Sequence, residues 1–457
     1  MCTDYHPLSV NDPQGHQPAL AGAWTRRGFL QTGLSMMATA ATVPAFLSNT
    51  GEALAQSAPR GAVNTPGVPD ERVLVVVQLS GGNDGLNTVA PVGSRAYYNA
   101  RRSIAIPESQ ALMIDSRGIG LHPQLGQIHE LIADRRGAVV QGVGYPNPNR
   151  SHFASMDIWH TADPSGARGG AGWIGKAFDE QTRSGEASPM GCVSIGNDAP
   201  LAAHGESFKP IAFESADLFR WTAEDIHPAV AETYRQLQRS EVAAAEPIAL
   251  PGGGTLPMGP ESATDATAFV QRTAMDAQVA SMKVRRAVAS QPRTSFPGHG
   301  LARQLRSVAA MIHAELPTRV YYVSMGGFDT HANQQGRHFQ LMRQFSESIG
   351  AFQAELAATG HADRVVTVAF SEFGRRVAQN ASGGTDHGAA GPVFVFGPSM
   401  PKRLVGEHPS LTDLGRGDLK YKVDFRQVYA ELLDNWLQLD SIAALGQSYR
   451  HPGIFSA

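Results

Sequence analysis

Val73-Leu-Val-Val-Val-Gln-Leu79, running directly into Ser80-Gly-Gly-Asn-Asp84-Gly85, is the stretch on which the reading of the chain turns. A run of seven residues dominated by valine and leucine suits a strand buried on both faces. The abrupt change to glycine and polar residues marks its end. Similar runs recur at Ala138–Val143, Val320–Met325, Val365–Phe370 and Val393–Phe396. Helical patterns such as Leu121–Asp134 and Phe339–Ala358 lie between several of them. Strands alternating with helices predict an α/β fold, a mostly parallel sheet with helices on both faces.

The polar residues just beyond each run carry the chemistry. The first run delivers Asp84. The second leads to Asn149-Arg150-Ser151-His152, the third to Gly326-Gly-Phe-Asp329-Thr-His331, and the fourth to Ser371-Glu372-Phe373-Gly374-Arg375. A later loop holds Thr385-Asp386-His387-Gly388. In open parallel sheets ligands bind beyond the carboxyl ends of the strands, where these residues would gather. Each also has a plainer reading taken singly. Asp84 suits an Asx-turn. Asp329 and His331 suit a helix cap and a surface histidine, and Glu372 suits a pair with Arg375 or Arg376.

Carboxylates and imidazoles without thiolates predict a divalent metal, one ion or two, from among zinc, manganese, magnesium, calcium and iron. The expected ligands are Asp84, Asp329, His331, Glu372, Asp386 and His387. Ser151 stands at a loop-to-helix junction, where backbone N–H groups can hold an anion. Metal coordination would make its alkoxide a nucleophile; as the plainer alternative it caps the helix. Arg150 and Arg375 are the candidates for clamping a tetrahedral anion, with surface cations as the alternative.

Composition narrows the classes. The 457 residues are 42% hydrophobic and 17% charged, as in a folded globular protein. A net charge of −3 argues against a nucleic-acid partner. The two cysteines, Cys2 and Cys192, exclude a thiolate-ligated zinc or iron–sulfur centre.

The N-terminus reads Thr25-Arg26-Arg27-Gly28-Phe29-Leu30, then a mildly apolar stretch to Leu47 and Ala53-Leu54-Ala55. Paired arginines, a moderate apolar region and a small-x-small cleavage site have the layout of a twin-arginine export signal. Thr32, Ser35, Thr39, Thr42 and Pro44 make that region too polar for a stable span. The expected organisation is an export signal over 1–55, a linker over 56–72 and one domain over 73–457. The expected destination is the bacterial periplasm or the exterior, with the twin-arginine translocase as a passing partner and no membrane span after cleavage. An uncleaved signal anchor is the alternative. Residues 213–300, interrupted by Pro251-Gly-Gly-Gly254 and Pro257-Met-Gly-Pro260, read as a helical insertion or a lid.

Taken in order, these polar clusters resemble the bacterial domain-of-unknown-function 1501 family. The closing run from Asp424 to Leu437 is similar to it as well. The resemblance spans about residues 73–440. It implies the alkaline phosphatase-like three-layer sandwich and, through the sulfatase and phosphatase superfamily, metal-dependent hydrolysis of a small-molecule or glycan sulfate or phosphate ester. Under it Asp84, Asp329, His331 and His387 match metal ligands and Ser151 matches the nucleophile. Glu372-Phe373-Gly374 falls where the superfamily has Asp-His-Gly, so Phe373 stands in place of a histidine ligand. Asp386, His152 or water are the available substitutes. A non-catalytic exported binding protein with a degenerate metal site is the competing expectation. A phosphomutase, suggested by the run Ser151–Ile158, ranks third.

Overall fold

A computed structural model of the protein describes residues 72–165, 170–183, 190–214 and 280–455. The expected export signal, the linker up to residue 71 and residues 215–279 of the expected insertion lie outside the described residues.

All five apolar runs form strands of one sheet. In chain order its strands are β1 (Val73–Leu79), β2 (Gly137–Gly144), β3 (Cys192–Ile195), β4 (Ile211–Phe213), β5 (Val320–Met325), β6 (Val365–Phe370), β7 (Gly391–Phe396), β8 (Leu404–Val405) and β9 (Val423–Asp424). Their spatial order is β8-β2-β7-β6-β1-β5-β3-β4, with β9 also paired to β2. Strand β1 sits between β5 and β6, parallel to both. Among the described strands of this sheet only β7 runs antiparallel, to β2 and to β6.

Side chains alternate across β1, and the core divides accordingly. Val73, Val75, Val77 and Leu79 join one apolar layer with α1 (Gly126–Ala133), α4 (Gly300–His313) and α5 (Gln334–Thr359). Leu74 and Val76 join the other, with α2 (His152–Thr161), α3 (Trp173–Arg183) and α6 (Phe425–Glu431). Each fully buried valine contributes about 1.5–3 kcal/mol from water exclusion. Covering both faces is what lets β1 be apolar on both, and the result is the three-layer α/β sandwich that the sequence predicts.

The reversed strand β7 has a consequence for the site. Strands β1, β2, β5 and β6 all end at one edge of the sheet, and β7 starts at that edge because Gly391 pairs with Val143 near the end of β2. The connection from Phe370 to Gly391 therefore stays at that edge. It carries Glu372, Phe373, Arg375, Asp386 and His387.

Below that edge, His160 of α2 is buried against Gln78 Oε1 (3.1 Å) and Tyr322 Oη (3.2 Å). Burial lowers its pKa from 6.5 to about 4. The unfolded chain then takes up a proton near pH 6.5 that the folded chain refuses until about 4. Stability from this neutral imidazole is complete above 6.5 and is lost as pH falls through that window. The melting temperature is expected to drop between pH 6.5 and 5, with a shallower drop in His160→Gln. Identical slopes in the two proteins would contradict this origin.

Candidate functional site

Two glycines allow the strand ends to meet. Gly81 (φ +118°) and Gly82 (φ +71°) turn the chain out of β1 in a conformation that favours glycine. A Cβ on Gly81 would lie 2.5 Å from Asp329 N, and one on Gly82 would lie 2.4 Å from the Phe373 ring. Asp329 and Phe373 can therefore close directly over the end of β1.

Asp329 Oδ1 is the focus of the cluster. His331 Nε2 is 2.9 Å from it, His387 Nε2 3.2 Å and His152 Nε2 3.5 Å. His331 Nε2 and His387 Nε2 are 2.8 Å from each other. The second nitrogen of each ring faces an acceptor, which assigns its proton. His387 Nδ1 donates to the Arg150 carbonyl (2.7 Å), His152 Nδ1 to Glu372 Oε1 (2.7 Å) and His331 Nδ1 to Asp386 Oδ1 (3.3 Å). In their neutral forms all three imidazoles then aim a bare Nε2 lone pair at the carboxylate.

Electrostatics act on Asp329 and on His387. Burial would raise Asp329, but the hydrogen bond and the charge of Arg375 hold it down to about 2. Burial lowers His387 below the usual imidazole value, against the hydrogen bond to the Arg150 carbonyl that works the other way. Three imidazole nitrogens within 3.5 Å of one carboxylate oxygen, with their outer nitrogens anchored, make a nitrogen-rich donor set for a divalent cation. The buried His152 Nε2 has no hydrogen-bond partner among the described residues. His152, Asp329 and His387 offer ligand atoms within 4.8 Å of one another.

The other expected site residues have different surroundings. Glu372 is buried behind the cluster, accepting from Gly81 N (2.8 Å), Ser371 Oγ (3.0 Å) and His152. Asp386 lies outside it, held by Asn380 Nδ2 (3.0 Å) and oriented toward His331. Arg375 is wholly buried, and its donors go to the carbonyls of Gly81, Gly82, Phe328 and Thr385, to Asp329 and, at 3.4 Å, to His331 Nε2. So engaged, it ties the loops together and has no free fork for an anion. Arg150 is ion-paired with Asp418. Ser151 is exposed at the start of α2, and its hydroxyl makes no capping bond.

Asp84 has its own partners on Oδ2, while its buried Oδ1 has no hydrogen-bond partner among the described residues. It and Arg101 form an ion pair whose side chains are both fully buried, and Gln334 Nε2 donates to the same carboxylate oxygen. Burial would raise its pKa, yet the charge and hydrogen bond of Arg101 keep it lowered. Arg101 also donates to Asn87 Oδ1 (2.9 Å) and to the carbonyls of Val377 (3.0 Å) and Arg376 (2.8 Å). A guanidinium thus supplies the positive charge beside Asp84.

His152 is the residue the sequence undervalues, since it enters there only as a substitute donor. Phe373 does not ligate. Its ring packs against those of His152 and His387, with centroids 4.9 Å from each, and shields that side of the cluster.

The family described as "Protein of unknown function (DUF1501)" matches residues 136–437. No curated protein matches the chain. Among solved structures, the lipoteichoic acid synthase LtaP from Listeria monocytogenes is 9% identical over 90% of this chain and 80% of that one, with a TM-score of 0.31. Ps i-CgsB in complex with k-i-k-neocarrahexaose is 10% identical over 84% of this chain and 78% of that one, with a TM-score of 0.32. Ps i-CgsB alone is 10% identical over 84% and 74%, with a TM-score of 0.33.

Proposed function

The chain belongs to the DUF1501 family, and on that premise we propose that it is an exported, metal-dependent hydrolase of sulfate or phosphate esters. The observation that carries the reading is the 2.8 Å approach of His331 Nε2 to His387 Nε2 beside Asp329. With both Nδ1 protons committed elsewhere, two lone pairs and a carboxylate oxygen meet at a point that a cation would satisfy.

The residues that would hold one ion are Asp329, His331 and His387, and His152 stands next to them. Imidazole-rich ligation favours zinc, iron or manganese over calcium or magnesium. Such an ion, when bound, supplies Lewis-acid polarisation of an ester oxygen and an open position for a ligand. The chain's own residues do the rest. Arg375 fixes Asp329, the Arg150 carbonyl and Asp386 orient two imidazoles, and Phe373 keeps water from one side. Asp84 with its bound Arg101 supports a single ion, not a pair. The order of the strand-end motifs resembles the DUF1501 family and, through it, implies the alkaline phosphatase and sulfatase superfamily, which supports ester hydrolysis as the reaction. The Arg26-Arg27 pair ahead of an apolar stretch supports export. No helix among the described residues is long and apolar enough to cross a membrane.

The test is turnover of p-nitrophenyl phosphate and p-nitrophenyl sulfate by the full chain with zinc or manganese supplied. Hydrolysis of either that a chelator removes and the metal restores is the expected result. No hydrolysis of either by metal-loaded protein would favour a non-catalytic binding role.

A further inference from the structure

We propose that Asp418 is a positioning residue for the metal centre, acting on the ligand His387 through Arg150; this rests on the metal-dependent reading above. His387 can present Nε2 to an ion only while its ring is held, and the atom that holds it is a main-chain oxygen. Nδ1 donates to the Arg150 carbonyl at 2.7 Å. A carbonyl only accepts, so this contact leaves Nε2 as the ligating atom and fixes the plane of the ring. The position of that carbonyl is therefore part of the site.

Arg150 follows an exposed stretch, Asn147–Asn149, that has little else to hold it. Among the described residues, the other hydrogen bonds of residues 146–151 stay local. Asn149 bonds to Tyr145 Oη through its N–H and its carbonyl. Ser151 N donates to Asn149 Oδ1 (2.8 Å), and the Ser151 carbonyl accepts from Ser155 N (2.9 Å). Apart from His387 itself, the tie from this stretch to a distant part of the chain is the Arg150 side chain. Its Nε (3.0 Å) and its Nη2 both donate to Asp418 Oδ2.

Asp418 has the surroundings of an anchor. It belongs to a short antiparallel ribbon, Leu414–Gly415 with Asp418–Leu419, closed by Arg416 (φ +56°) and Gly417 (φ +89°). Two central residues in the left-handed region give the tight turn of a two-residue hairpin loop. The Asp418 side chain is 4% exposed and that of Arg150 35%, so the acid is the fixed partner. The same carboxylate faces Arg376, whose Nε is 3.8 Å from Oδ1. Arg376 N in turn donates to the Asp386 carbonyl at 3.0 Å, one residue before His387. Among the described residues Asp418 bonds to no metal ligand directly, so its influence passes through the arginines. Releasing Arg150 frees the stretch and its carbonyl, and ordering them again then falls on the metal-binding step.

The experiment is calorimetric titration of the metal-free full chain with zinc, for the wild type, Asp418→Asn, Arg150→Ala and the double variant. The expected result is an affinity lower by about 10–100-fold in each single variant, as for other outer partners of a metal ligand. No further loss is expected in the double variant, because the two residues act in series. Arg150→Ala keeps its carbonyl and removes a partly exposed side chain, so it carries the test alone if Asp418→Asn does not fold. Asp179→Asn is the control for stability. That buried carboxylate accepts from Glu206 N, Ser207 N and Phe208 N, and its loss is expected to lower the melting temperature with zinc affinity unchanged. Affinity within a few-fold of the wild type in Arg150→Ala, additive losses in the double variant, or an equal loss in Asp179→Asn would each overturn the inference while leaving the metal centre intact. A wild type that binds no zinc would remove the reading on which it rests, and the inference with it.

Discussion

Asp329→Asn is expected to strip divalent metal from the protein and abolish ester hydrolysis while the fold persists. The side chain is 48% exposed, and the buried Arg375 keeps its four backbone carbonyl acceptors when Asp329 loses its charge, so the fold is expected to tolerate the change. Its Oδ1 is nevertheless the atom toward which His152, His331 and His387 converge and to which Arg375 donates at 2.7 Å. Asparagine keeps the shape but removes the charge, and its amide can offer N–H groups to the imidazole lone pairs in place of a cation. Loss of an outer hydrogen-bond partner already costs metal affinity about 10–100-fold, so loss of a direct carboxylate ligand is expected to exceed roughly 100-fold. Titration of the metal-free variant with zinc, monitored by calorimetry, measures this. An affinity within a few-fold of the wild type would remove Asp329 from the ligand set.

The second large effect concerns stability. Asp84→Asn leaves Arg101 buried with its charge uncompensated, and breaking such a pair from one side costs about 3–5 kcal/mol. That fall is expected in urea unfolding, with metal content unchanged because Asp84 is committed to Arg101. Replacing both partners, in Asp84→Leu with Arg101→Met, is expected to recover much of the loss, since no buried charge is then orphaned. A single substitution costing less than about 1 kcal/mol would contradict the pairing. Loss of a second equivalent of metal in Asp84→Asn would instead make Asp84 a ligand.

These two outcomes mark how far the sequence could be read. The central strands are legible because burial on both faces leaves no alternative to an unbroken apolar run, as in Val73–Leu79 and Val365–Phe370. Their polar ends are legible for a similar reason, since Gly81, Gly82 and the residues around Asp329 interrupt the pattern sharply. Asp329, His331 and His387 do come together, although 58 positions separate the first from the last. The fate of Asp84 is hidden in the sequence, because its partner Arg101 stands 17 residues along the chain in a segment with no distinctive motif. The engagement of Arg375 is equally hidden, since its acceptors are backbone carbonyls, which any sequence supplies. His152 is overshadowed by the adjacent serine. Only the three-dimensional placement of Glu372 distinguishes the two.

The claim that Asp329, His331 and His387 form one metal centre is tested most directly by elemental mass spectrometry of the folded protein purified without chelator, beside His387→Ala. Close to one equivalent of a divalent transition metal per chain, lost in the variant, is the expected result. A wild type without metal, or a variant that retains the full equivalent, would contradict it.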